Sequence, residues 1–142
     1  MDTTARPARA ERFMPDWLVG GLIRLSLAPG LWLWGRAHAG PWPEVMPDIV
    51  HAADVWSVPV IAPVHLAQFA VWGAQICAAL LVLGFLTRLA GVALLLASWI
   101  YGVWVAPEAW PMTVMFAAMS FYLFARGGGG LSIDGAIVAT TR

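Results

Sequence analysis

WLVGGLIRLSLAPGLWLW, residues Trp17 to Trp34, is apolar at nearly every position yet holds one arginine, Arg24, well inside it. In water such a stretch would be one side of a buried helix. In a bilayer the guanidinium needs compensation, because insertion of a central arginine costs about 2.5–3.5 kcal/mol. Composition decides between the two solvents. The chain is 61% hydrophobic and 11% charged, with a mean hydropathy of +0.76, whereas soluble domains carry about 25% charged residues. So few charges cannot coat a globule of 142 residues. The chain reads as an all-α integral membrane protein, a single domain over residues 1–142.

Three further segments are long enough to cross a bilayer, which takes roughly 17–25 residues. The four spans are expected at about 17–34, 64–86, 89–106 and 109–125. Thr87 and Arg88 join the second and third, and Pro107 and Glu108 join the third and fourth, so both connections read as tight antiparallel turns. The one long connection, Gly35 to Pro63, holds Pro41, Pro43, Pro47, Pro59 and Pro63, which prevent a single helix there. Within it, Pro47 to Trp56 is expected as a short interfacial helix with Ile49, Val50 and Ala53 towards lipid or bundle. The N-terminal segment lacks a short h-region with a cleavage site, so the first span is expected to be retained.

The basic residues are all arginines, and they sort by side. Arg6, Arg9, Arg12, Arg88, Arg126 and Arg142 share one side if the spans alternate, whereas the other side has Arg36 against Glu44, Asp48, Asp54 and Glu108. The positive-inside rule then puts both termini in the cytoplasm. The expected architecture is a four-transmembrane-helix bundle, N-in and C-in, with a long periplasmic loop between helices 1 and 2. The absence of lysine and the wealth of Ala, Gly and Trp suggest a GC-rich bacterium, hence a multi-pass protein of its inner membrane. Zero formal net charge offers no basic surface, so no nucleic-acid partner is expected. Membrane lipid is the expected surround.

Few residues can carry chemistry. Arg24 lies roughly 10 Å into the first span. It reads either as a clamp or as a site for an anion, a quinone or a lipid headgroup. On the same side stand Arg88, Ser132 and Asp134, and Asp134 is the carboxylate placed to reach Arg24 or Arg88 if the glycine run Gly127 to Gly130 folds back under the bundle. Gln68 and Gln75, seven residues apart, share one face of the second span, with Tyr101 as the expected neighbour across the hairpin. They read as interhelical packing polar groups or, with Trp72, as the lining of a ligand cavity. Neither glutamine can carry a proton. Glu44, Asp48 and His51 are weak metal-ligand candidates, since no tight HxxxH or CxxC spacing supports them and Pro47 interrupts the stretch; no metal is expected. Cys77 reads as packed and inert. The glycine run is no P-loop, because no GK[ST] follows it.

Four motifs together resemble the DoxX family of small four-helix bacterial membrane proteins. They are LIRLSLAPG around Arg24, the pair Gly35–Arg36, LLVLGFLTRLAG across the hairpin, and RGGGGLSID after the fourth span. The likeness runs from Arg24 to Asp134. The outer stretches VPVIAPVHLAQFA and VWVAPEAWP further resemble a branch found beside metal-binding modified peptides of the bufferin type. The resemblance implies an accessory protein, a partner of a redox or metal-stress system, with no intrinsic cofactor and possible quinone binding. Some relatives are small subunits of a thiosulfate:quinone oxidoreductase, so a membrane subunit of a quinone-linked enzyme is the rival reading, and a transport or export partner a third. Many relatives carry a glutamate where this chain has Gln75, which removes the membrane-depth carboxylate. With no haem-ligating pair, flavin or iron–sulfur motif, the chain is not expected to be an enzyme on its own.

Overall fold

The computed structural model describes residues 15–84 and 86–127. They form five α-helices: α1 (Asp16–His38), α2 (Pro47–Trp56), α3 (Pro63–Leu83), α4 (Thr87–Ile100) and α5 (Trp110–Arg126). Three stretches are long and apolar enough to cross a membrane: Trp17–His38, Pro63–Leu83 and Thr87–Val105. The helix at the expected fourth span, α5, has 17 residues. The protein is thus an all-helical integral membrane protein.

Local sequence sets the ends. Proline opens α2 and α3 at a first-turn position, where its missing N–H is no loss and its fixed φ suits the helix. Gly84 closes α3 in the left-handed region, φ 66°, returning its N–H to the Leu80 carbonyl. The reversal after α3 therefore falls earlier than the sequence suggested. Gly84 and Leu86 turn the chain, both at positive φ, while Thr87 and Arg88 already belong to α4. Helix α1 runs beyond Trp34 to His38 and passes straight through Pro29. The proline leaves the Leu25 carbonyl without its helical donor, an interruption that membrane helices accommodate.

The third span does not end as a plain α-helix. Tyr101–Val105 widens to a π-turn, in which the Ala106 N–H reaches the Tyr101 carbonyl at 2.9 Å. Residues five apart on an α-helix point about 140° away from each other. The wider turn instead brings Trp99 and Trp104 edge to face, centroids 6.1 Å apart.

The helices pack as two pairs. α1 lies along α3 and α5 along α4, while the contact of α3 with α4 is smaller, although only Gly84 to Leu86 separates them. Leu27, Ala28, Cys77, Leu81, Ala90, Leu94 and Leu123 form a core towards the α3–α4 turn, drawing on α1, α3, α4 and α5. A second core lies towards the long connection, where Ile49 and Ala53 of α2 meet Leu66, Ala67 and Val71 of α3. Helix α2 thus occupies the range expected for it and turns its three named apolar residues towards this core, Ile49 and Ala53 buried and Val50 part-buried. Buried Ser98 and Ser120 satisfy their hydroxyls within their own helices, on the Leu94 and Phe116 carbonyls.

Candidate functional site on the seam between the first and third helices

The polar side chains of α1 and α3 line up along one seam. Half-buried Arg24 donates Nε to the Leu81 carbonyl at 2.7 Å and Nη2 to the Val82 carbonyl at 3.2 Å. Both acceptors sit in the last turn of α3, where the final four carbonyls lack helical donors and the helix dipole is negative. No acidic or basic residue of α3 stands in that turn, so the cation of α1 supplies the complementary charge. The guanidinium fork suits two adjacent carbonyls, which a lysine ammonium would not span.

Further along the seam, buried Gln75 donates Nε2 to the Gly35 carbonyl at 3.3 Å. This contact explains the glycine: a Cβ at Gly35 would lie 2.7 Å from Gln75 Cγ and 3.1 Å from the Val71 carbonyl oxygen. Beyond it, Gln68 Nε2 and Trp72 Nε1 both donate to the Pro43 carbonyl at 3.2 Å, and Trp42 meets Trp72 edge to face at 4.9 Å. These contacts fasten the turn after α1 onto α3. The seam is held by side chains binding backbone carbonyls of another segment. Replacing Gln75 by Leu keeps the volume and removes the bond, so unfolding in detergent should show a loss of about 1 kcal/mol.

The residues named from the sequence are distributed unevenly. Arg24, Gln75, Gln68 and Trp72 share the seam at successive levels. Tyr101 lies in the π-turn with 43% of its surface exposed, and the Gln75 amide turns to α1. Arg88 is exposed at the start of α4, and its Nε would lie 3.4 Å from a Cβ placed on Gly127. Ser132 and Asp134 lie outside the described residues. Asp48 and His51 are exposed on α2, whereas Glu44 precedes that helix. Among the described residues no group of three or more His, Cys, Asp or Glu is placed to hold a metal ion. Two features went unread in the sequence. Tyr122 buries its phenol oxygen without a hydrogen-bond partner among the described residues. The other is a groove of about 520 Å³ between α1 and α3, lined by Ala28, Pro29, Trp32, Ala78, Ala79 and Val82 among others.

The groove is apolar and open on one side, and Val82, which lines it, is also a carbonyl partner of Arg24. It has no titratable lining residue. With this geometry in place, comparison with known proteins adds one match: the family described as TQO small subunit DoxD, over residues 55–141. No curated protein and no solved structure matches the chain.

Proposed function

The chain belongs to the DoxD family, and from that premise we propose that it is the small membrane subunit of a quinone-linked oxidoreductase, without catalysis of its own. The family match carries this reading, since the family is described as the small subunit of TQO, a thiosulfate:quinone oxidoreductase. The groove between α1 and α3 supports it. Its lining suits the hydrocarbon tail of a quinone and keeps that tail beside the seam that carries Arg24. Its lack of a titratable side chain fits a subunit that holds the tail while a partner supplies redox centre and proton carriers.

In this reading four spans cross the inner membrane of a bacterium, N-in and C-in. Ser132 and Asp134 then lie at the Arg24 and Arg88 end. The likeness of the stretches at Val58–Ala70 and Val103–Pro111 to the branch beside metal-binding peptides suggests a different partner system. Neighbouring genes separate them: sulfur-oxidation genes favour the oxidoreductase, and a gene for a small cysteine-rich peptide favours metal handling.

Purification of the full chain from its native membrane in mild detergent tests the proposal. Quinone and a partner with a flavin, haem or iron–sulfur spectrum should come with it, and Ala79→Phe, which fills the groove, should deplete the quinone. Purification without quinone or redox partner would overturn the reading.

A further inference from the structure

A second groove, of about 600 Å³, lies at the opposite end of the α1–α3 seam, between α2 and the start of α3. Pro47, Val50, His51 and Asp54 line it at positions i, i+3, i+4 and i+7, one continuous stripe of α2. Val64, 48% exposed, stands opposite on α3. This stripe borders the side of α2 that packs inward through Ile49 and Ala53, and part-buried Val50 belongs to both. The contacts that fix α2 are described above, so the groove is a formed surface.

Its lining is mostly apolar, with one carboxylate, Asp54, and one imidazole, His51. Asp48 of the same helix and Glu44 just before it add exposed carboxylates at this end. The same end of the helices carries Glu108, against the exposed Arg36. Among the described residues, none of these four carboxylates is held in an ion pair. Unneutralised charge beside an apolar slot selects by sign. It repels anionic lipid headgroups and anionic peptides, and it attracts cations that bring apolar side chains with them.

We propose that the groove between α2 and α3 docks a cationic, amphipathic segment of a partner protein. An apolar side chain of that segment fills the space between Val50 and Val64, and its lysines or arginines face Asp54 and Asp48. The inference rests on the proposed partner role and deepens it by giving the partner a surface and a chemistry. It needs no quinone.

The test uses the full chain in nanodiscs of phosphatidylcholine, with a fluorescent lysine–leucine amphipathic peptide as probe and the anisotropy as readout. The peptide should bind, and a lysine–serine peptide of equal charge should bind roughly tenfold more weakly. Asp48→Asn with Asp54→Asn should weaken binding by about tenfold, as should Val64→Asn, whereas Glu108→Gln, with a charge change at the same end, should leave it unaltered. A photoreactive leucine in the peptide should label Val50 or Val64. Equal weakening by Glu108→Gln would reduce the effect to diffuse charge and overturn the proposal. So would equal binding to protein-free nanodiscs, which assigns the peptide to lipid, or labelling elsewhere. Peptide binding is read without any partner or quinone, so it can fail while the copurification above succeeds, and the reverse.

Discussion

Gly91→Val is expected to destabilise the bundle by ~3 kcal/mol or more and to part α4 from α5. A Cβ on Gly91 would lie 2.7 Å from the Phe124 nitrogen, 3.0 Å from the Ser120 carbonyl oxygen and 3.1 Å from Phe124 Cα. All three are backbone atoms of α5, so no side chain can rotate away and one helix must move as a body. Helices in lipid associate through close packing, without a hydrophobic driving force between them, so the loss of approach is felt directly. Gly91→Ala should show the lower part of the range, ~1–3 kcal/mol. Gly73→Ala provides the control. Nothing lies within 4 Å of its would-be Cβ, and alanine is the better helix former by about 1 kcal/mol. Thermal unfolding in detergent should therefore rank Gly73→Ala at or above the parent and both Gly91 variants below it. A Gly91→Val variant as stable as the parent would show that α4 and α5 do not approach this closely.

The second large effect is at Arg24, where two energies oppose each other. Alanine removes a cation whose insertion costs about 2.5–3.5 kcal/mol, so entry of the first span into the bilayer becomes easier. It also removes the two charge-assisted hydrogen bonds to Leu81 and Val82, each worth about 1.5–3 kcal/mol in proteins, and uncovers the C-terminal carbonyls of α3. In the inserted chain the second term governs, and Arg24→Ala should lower the stability of the folded bundle by ~2–4 kcal/mol. Arg24→Lys should recover part of it, since a single ammonium cannot span the Leu81 and Val82 carbonyls. A glycosylation-mapping assay for insertion and an unfolding measurement in detergent report the two terms separately. Stability unchanged in Arg24→Ala would show that the arginine does not hold α3.

These two residues also show what the sequence can and cannot disclose. A guanidinium within an apolar stretch is conspicuous, and so are Gln68 and Gln75 on one side of a span, because their side chains differ from everything around them. Their partners among the described residues were not legible. Arg24 takes Leu81 and Val82, Gln75 takes Gly35, and Gln68 takes Pro43. Each partner is a backbone carbonyl, a group that every residue carries and no letter marks. Reading side chain against side chain, the sequence instead pointed Gln75 towards Tyr101. The short helix from Pro47 to Trp56 was legible because a proline opens it and its apolar residues recur at helical spacing. The π-turn at Tyr101–Val105 was not, since it leaves an ordinary apolar pattern and displaces only the hydrogen-bond ladder. The α1–α3 groove escaped for a related reason. Small residues on two helices form it jointly, and neither helix alone shows it.

The carbonyls of Leu81 and Val82 follow Arg24 by 57 and 58 residues. During synthesis the arginine therefore emerges before these acceptors, and α1 is expected to meet the bilayer without α3, its cation drawn towards the headgroups. The arrival of α3 is then expected to let that helix settle deeper, and a ribosome stalled between the two is expected to leave α1 sitting shallow, which depth mapping of Arg24 in stalled chains would check.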